Sequence, residues 1–204
     1  MNKYEIIYLH GLFGENLLSP SKKIDRIISP YEISSIADLS IDSDCIIIGY
    51  SMGARKLLEI LLKNKCRETL SRIKKVHLIS CHLSTQNREK RRKYEDDLIK
   101  KMSDRNFESF WNSLPLFKND YPINIDVKKM SYYKKIFDRN RLSKTPSYVD
   151  YIQKEIELFQ LHCGEDDEKI YIQYKDFSNA VIYPKLSHRS VLKKIDFILG
   201  DQDG

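Results

Sequence analysis

The residues Gly49-Tyr50-Ser51-Met52-Gly53 form a G-x-S-x-G pattern between an apolar run and an amphipathic one. This pattern is typical of a serine on a tight strand-to-helix turn, where flanking glycines relieve crowding and the hydroxyl projects above a sheet. Free N–H groups at the start of the following helix would stabilise a developing oxyanion there. We therefore predict that Ser51 is a catalytic serine at a nucleophile elbow.

A serine hydroxyl becomes reactive when a neighbouring imidazole takes its proton. Of the five histidines, His188 lies in a loop between the last strand candidate and a closing helix, whereas the others lie within strands or at strand ends. A loop at the carboxyl edge of a sheet is where a base could reach Ser51. His188 is therefore the predicted base.

An acid is expected to accept the second imidazole N–H and stabilise the imidazolium. Four carboxylates follow the preceding strand candidate, in residues 165–168. Position alone leaves Asp166 and Asp167 almost equal as candidates.

The segment His10-Gly11-Leu12-Phe13-Gly14 follows the first strand candidate. Small residues there would let a backbone N–H approach a reacting carbonyl. We predict that the backbone amides of Leu12 and Met52 form the oxyanion hole.

Apolar runs and helical periodicity alternate along the chain, which predicts an α/β fold with a mostly parallel sheet flanked by helices. The strand candidates are residues 4–9, 45–49, 75–80, 158–164 and 179–183. The helix candidates are residues 52–64, 86–102, 106–113, 127–139 and 191–199.

Residues 84–150 interrupt this alternation, because they are charged, helical in pattern and without a strand candidate. We interpret them as a helical cap insertion over a core of residues 1–83 and 151–204, since ligands of open α/β sheets bind at the carboxyl ends of the strands. The alternative is a helical decoration of the surface.

Composition limits the function further. The 204 residues are 41% hydrophobic, carry a net charge of +6 and contain no run long enough to span a membrane. The charge predicts an anionic partner without identifying its kind, although compositional drift would also produce it. We expect no signal or transit peptide, no membrane or nucleic-acid partner, and an intracellular, cytoplasmic location.

The four cysteines show no C-x-x-C spacing, which favours free thiols. The pairs Cys81-His82 and His162-Cys163 each close a strand candidate and could meet as metal ligands, but their irregular spacing argues against it. We expect no metal and no cofactor.

These motifs together resemble the α/β-hydrolase superfamily, and within it the 2-succinyl-6-hydroxy-2,4-cyclohexadiene-1-carboxylate synthases of menaquinone and phylloquinone biosynthesis. The family's H-G-F-x-G, G-Y-S-x-G-G-R and G-E-x-D-x-K-F resemble the segments that begin at His10, Gly49 and Gly164. Its arginine-bearing cap segment, later Trp and P-x-F resemble residues 88–92, Trp111 and residues 115–117.

The resemblance implies an α/β-hydrolase fold and selects Asp167 as the acid. It also implies binding of an anionic small-molecule substrate with several carboxylates, which arginines bind well. The compartment it implies is a bacterial cytosol, or a plastid stroma if the chain is organelle-encoded. The candidate substrate-binding residues are His10, Tyr50, Arg55, Arg88, Arg92 and Trp111. The span of residues 14–44 is too short for the family's usual content, so we expect a shortened sheet.

Three functions compete. The first is a carbon–oxygen lyase that eliminates pyruvate, as the resemblance implies. The second is a carboxylesterase or thioesterase that acts on a small or carrier-bound acyl ester. The third is a basic binding module without catalysis, which the sequence favours least because no aromatic residues interleave its basic run.

Overall fold

The computed structural model describes residues 4–14, 23–64 and 67–200, and these form one sheet of six parallel strands in the order β2-β1-β3-β4-β5-β6. The strands are β1 Glu5–Leu9, β2 Arg26–Ile28, β3 Cys45–Tyr50, β4 Ile73–Ile79, β5 Phe159–Gly164 and β6 Ala180–Tyr183. The α-helices of these residues are α1 Met52–Lys63, α2 Arg67–Arg72, α3 Arg88–Lys101, α4 Phe107–Asn112, α5 Met130–Arg139, α6 Val149–Lys154, α7 Glu168–Tyr174 and α8 Ile195–Gly200.

The sheet is covered on both faces, which explains the continuous apolar run of its central strand. All six residues of β3 are buried, as expected of a parallel strand between two layers. Helix α1 packs Ala54, Leu57 and Leu58 into the core on one face. Ile195 and Ile198 of α8 belong to the core on the other face.

The strand order places a crevice at the carboxyl ends of β1 and β3. The chain runs from β1 to β2 on one side and then crosses to β3 on the other side, so the strand order reverses between β1 and β3. Such a switch point is where open α/β sheets bind ligands. Leu9 pairs with Gly49 in register, so the loops after these two strands lie next to each other.

Residues 84–150 carry α3, α4, α5 and the start of α6, with short 3₁₀ turns between them and no strand. Their apolar residues form a cluster that includes Phe107, Trp111 and Phe137, and Phe13 from the loop after β1 belongs to the same cluster. This segment is therefore packed onto the edge of the sheet where the crevice opens.

The structure also contains elements that the sequence did not predict. Strand β2 is three residues long, too short for an alternation to be recognised, and α2, α6 and α7 are only six or seven residues long. The predicted closing helix is divided between a 3₁₀ segment, Ser190–Lys194, and α8. The predicted boundary at residue 150 falls inside α6.

Cys45, Cys81 and Cys163 are buried free thiols, as the spacing predicted, and Cys66 lies outside the described residues. Among the helices of the described residues, none combines the length and the apolar character that crossing a lipid bilayer requires.

Candidate active site

Ser51 occupies the sharp turn between β3 and α1. Its φ of 51° and ψ of −109° place a non-glycine residue at positive φ, which costs energy and occurs mainly at functional turns. The flanking glycines make the turn possible, because a Cβ on Gly49 would lie 2.6 Å from the Ala54 Cα and one on Gly53 would lie 2.5 Å from the Leu9 carbonyl oxygen. The N–H of Ser51 donates to the Ile79 carbonyl at 2.8 Å.

His188 lies in hydrogen-bonding range of this serine. Its Nε2 is 3.1 Å from the Ser51 Oγ, and only 1% of the residue is exposed. The Ser80 hydroxyl, at the end of β4, donates to the His188 carbonyl at 3.1 Å. The structure therefore brings together two residues that are 137 positions apart in the chain.

Asp167 completes the arrangement, with its Oδ2 2.6 Å from the His188 Nδ1. It immediately precedes α7 and is buried, whereas Asp166 is exposed. An imidazole whose Nδ1–H donates to a carboxylate keeps Nε2 free to accept the proton of a hydroxyl. The geometry can therefore move a proton from Ser51 to His188.

The loops that carry the acid and the base touch through their backbones. A Cβ added to Gly164 would overlap the Leu186 carbonyl, so this close approach requires glycine. The Asp166 N–H also donates to the Leu186 carbonyl at 2.9 Å. These two backbone contacts fix Asp167 relative to His188.

Leu12 and Met52 both line a cavity that opens over Ser51. Neither backbone amide donates a hydrogen bond to another described residue, and Met52 is the first residue of α1, where N–H groups lack helical partners. Both amides are thus available to an oxyanion. The loop of Leu12 lies close to the elbow, since a Cβ on Gly11 would be 3.3 Å from the Ser51 Cβ.

The cavity has a volume of about 580 Å³, within the usual range for a small-molecule site. Its apolar wall comes largely from residues 84–150 and includes Leu98, Trp111, Leu114, Phe117, Ile123 and Phe137. Among the described residues that line it, there is no aspartate or glutamate, but there are five cationic side chains. These are Arg55, Lys90, Arg91, Lys169 and Arg189.

Arg55 lies on the first turn of α1, near Ser51, as the sequence predicted. Its Nη1 donates to the Asn140 carbonyl at 3.0 Å and to the Thr145 Oγ1 at 3.4 Å. Burial lowers the pKa of this guanidinium from its ordinary value. Within the described part of the chain no carboxylate lies within 4.0 Å of it, and Glu95 acts on it only at longer range.

The expectation that Arg88 and Arg92 face the site is wrong. Both are exposed and line a separate surface cavity beside Asp96 and Arg141. The arginine of α3 that does line the catalytic cavity is Arg91, which also pairs with the buried Glu95 at 2.8 Å. Glu95 accepts a hydrogen bond from the backbone N–H of Leu142. This bond holds the face of α3 that carries Glu95 against residue 142.

His10 is also not part of the cavity lining. Its Nδ1 is 2.8 Å from the Gly11 carbonyl oxygen, and its ring packs edge-on against Tyr31. The expected role in substrate binding is therefore not supported, and the ring instead supports the loop after β1. Tyr50 and Trp111 do line the cavity.

Sequence reasoning missed residues that hold the His188 loop. Asp120 accepts from the backbone N–H groups of Arg189 and Ser190, at 2.9 and 3.0 Å, and from the Ser187 hydroxyl. Arg189 is itself buried, and its Nη1 donates to the Asn112 Oδ1 and the Tyr121 carbonyl, both at 2.9 Å. The signal in the sequence that could have indicated this role was the position of Arg189 directly after the predicted base, His188.

The parallel sheet, the elbow and the serine–histidine–aspartate arrangement define an α/β-hydrolase fold. Among similar solved structures is MenH from S. aureus, with a TM-score of 0.67, 16% identity, and coverage of 97% of this chain and 92% of that one. A carboxylesterase of Nitrososphaera gargenis has a TM-score of 0.56 and 11% identity, over 98% and 89% of the two chains.

An α/β-hydrolase from a Medee basin deep-sea metagenome has a TM-score of 0.53 and 13% identity, over 97% and 87% of the two chains. Neither a protein-family profile nor a curated protein sequence matches the chain. At these identities, the structural likeness establishes the fold.

Proposed function

We propose that this protein is a carbon–oxygen lyase of menaquinone or phylloquinone biosynthesis. It eliminates pyruvate from 2-succinyl-5-enolpyruvyl-6-hydroxy-3-cyclohexene-1-carboxylate and leaves 2-succinyl-6-hydroxy-2,4-cyclohexadiene-1-carboxylate. The observation that carries the proposal is a serine–histidine–aspartate relay opening into a cavity with five cationic side chains and, among its described lining residues, no carboxylate.

The proposed reaction begins with removal of a ring proton by the Ser51–His188 pair. The electron pair of the broken C–H bond moves onto the conjugated oxygen, where the Leu12 and Met52 amides stabilise the anion. Collapse of this anion forms the new ring double bond and breaks the carbon–oxygen bond to the enolpyruvyl group. His188 returns the proton to the leaving group, which is released as pyruvate without an acyl-enzyme.

The substrate's carboxylates would be held by the cationic part of the wall. Guanidinium groups bind carboxylates through two parallel N–H donors, and Arg55 lies on the same helical turn that follows Ser51. Binding at groups remote from the reacting carbon would orient the ring over the relay. We further propose that the enzyme works in a bacterial cytosol or a plastid stroma.

The test is a direct assay of purified protein with the enolpyruvyl substrate. Pyruvate release, followed with lactate dehydrogenase and NADH, is expected from the wild type and not from Ser51→Ala. That variant should keep its melting temperature, because only a hydroxyl is lost. Wild-type protein that melts normally and releases no pyruvate would refute the lyase assignment.

The second candidate is a carboxylesterase or thioesterase. The apolar wall formed by Trp111, Phe117 and neighbouring aliphatic residues favours it, since such a surface would also bind an acyl chain. In that case p-nitrophenyl esters would be hydrolysed with a burst of one equivalent of nitrophenol, which reports an acyl-enzyme on Ser51. A burst without pyruvate release would decide for this candidate.

A further inference from the structure

A second imidazole, that of His82, lies in the same cavity as Ser51. It follows β4, between Cys81 and Leu83, and lines the cavity wall. The cationic Arg55, Arg91 and Lys169 and the titratable His188 act on its ring, and all four line the same cavity. The ring therefore faces the space where substrate would bind, although the relay does not use it.

The amide of Gln173, on α7, has only one possible orientation. Its Oε1 is 2.8 Å from the backbone nitrogen of Leu83 and 3.2 Å from that of Ser84. Both partners are N–H donors, so the atom that meets them must be the amide oxygen. The nitrogen of the Gln173 amide must then point away from these two N–H groups, toward the His82 ring.

That nitrogen fixes the tautomer of His82. The Gln173 Nε2 is 3.1 Å from the His82 Nδ1 and 3.1 Å from the Lys169 carbonyl oxygen. An amide nitrogen donates and does not accept, so the His82 Nδ1 must be the acceptor. In a neutral imidazole the proton then resides on Nε2.

The ring is neutral at physiological pH. Burial, reinforced by the nearby charges of Arg55 and Arg91, holds the pKa of His82 well below its usual range. Within the described part of the chain nothing accepts a hydrogen bond from its Nε2, and this atom is not sealed from solvent. The cavity therefore contains an uncharged N–H donor that is free to bind a ligand.

We propose that His82 is a substrate-binding residue whose Nε2–H donates to an sp² oxygen of the substrate, a carbonyl or carboxylate oxygen. This inference rests on the proposed function and names one more group that the substrate must carry. Gln173 is the positioning residue, because it holds the proton on the nitrogen that faces the cavity. A substrate with a donor at that position would be rejected, since two N–H or O–H groups would meet.

The tautomer can be measured without any turnover. In ¹⁵N spectra of the ligand-free protein at neutral pH, the His82 Nδ1 is expected to be unprotonated and its Nε2 protonated. Titration with succinate, used as a dicarboxylate probe, should move the Nε2–H proton signal downfield. A protonated Nδ1, or a signal that succinate leaves unmoved, would overturn the proposal.

Steady-state kinetics of two His82 variants test the same role by a second measurement. His82→Phe removes the donor and should raise KM about tenfold or more, since a hydrogen bond to a charged oxygen is lost, while kcat changes less. His82→Gln, whose amide nitrogen can reach a similar position, should restore most of the affinity. A KM for His82→Phe equal to that of the wild type, with normal folding, would refute the role.

The two proposals fail in different ways. If the wild type hydrolyses p-nitrophenyl esters and releases no pyruvate, the lyase assignment fails, and the KM comparison is made with the ester, whose carbonyl oxygen can also accept from Nε2. If pyruvate is released and the two His82 variants behave alike, only the role of His82 fails.

Discussion

Two sets of buried histidines in this protein have nearly the same exposure but different partners. His188 is 1% exposed, and His77 and His162 are 1% and 2% exposed. His188 lies between a carboxylate and a hydroxyl. In the sheet, the His77 Nδ1 is 2.9 Å from the His162 Nε2, and the His162 Nδ1 is 3.1 Å from the Tyr183 hydroxyl.

At nearly equal burial, the groups that contact each imidazole distinguish the histidine of the relay from the pair in the sheet. Burial lowers the pKa of His77 to about 4 and that of His162 to about 3, and the nearby Lys75 adds to both shifts. At His188 the Asp167 carboxylate would compensate the charge of an imidazolium. The sheet pair is therefore held neutral, whereas His188 contacts the two groups that a proton relay requires.

The largest effect is expected when the charged partner of His188 is removed. Asp167→Asn keeps the shape of the side chain but can stabilise neither the tautomer nor the imidazolium, so kcat should fall by about 10⁴-fold. Steady-state assays measure the loss, and circular dichroism with thermal melting serves as the folding control. A loss smaller than tenfold would show that His188 does not depend on the Asp167 carboxylate.

The sheet pair should make stability dependent on pH. Both folded pKa values lie below the ordinary 6.5, so the unfolded chain binds protons first as the pH falls. Stability should be fully present above pH 6.5 and decrease from pH 6.5 to about 4 for His77 and to about 3 for His162, by on the order of 1–2 kcal/mol per pH unit for each proton.

Urea denaturation at a series of pH values measures this slope. His77→Phe removes one of the two titrating groups, so the slope over the same window should be smaller in this variant. Equal slopes in the two proteins would show that other groups control the acid transition.

Arg55 differs from these histidines, because it would bind the substrate through its charge without exchanging a proton. Arg55→Ala should raise KM for the carboxylated substrate about 10–100-fold, because a charge-assisted hydrogen bond of about 1.5–3 kcal/mol is lost. Arg92→Ala is the matched control, since Arg92 lies outside the cavity, and should remain within about twofold of the wild type. If the two variants have the same KM, Arg55 is not a carboxylate ligand.

The smallest change in activity is expected for a residue that holds the His188 loop in place. His77 and His162 lie on strands, whereas His188 lies in a loop that Asp120 binds through Ser187, Arg189 and Ser190. Asp120→Ala should lower kcat about five- to tenfold through a less ordered base, and Asp120→Asn should lose less because it keeps an acceptor. Full activity in Asp120→Ala would show that the loop holds itself.

Local patterns in the sequence were sufficient for the elbow, because Ser51 and its strand, turn and helix are contiguous. They were also sufficient for the position of His188, since the end of a strand places a loop at a known edge of the sheet. They did not choose between Asp166 and Asp167, which differ only in burial within the folded loop.

The arginines of α3 show why the residues that line the cavity could not be predicted from the sequence. Arg88, Arg91 and Arg92 share one face by helical spacing, but the orientation of α3 depends on Glu95, which binds Leu142 and Ser143 far along the chain. Tertiary contacts of this kind, together with the pair between Asp96 and Arg141, leave Arg91 at the cavity and Arg88 and Arg92 outside it. The strand β2 was missed because three residues carry too little pattern.

The contact between Gly164 and the Leu186 carbonyl has a consequence for how this scaffold can diversify. Because main-chain atoms join the loops of acid and base, those side chains of the cavity wall that do not hold the His188 loop can be exchanged without altering the spacing of the two residues. Substrate preference and proton transfer are then separable traits. A library randomised at Leu114, Ile123 and Phe137 should yield many active members with new specificities, while almost every replacement of Gly164 should be inactive.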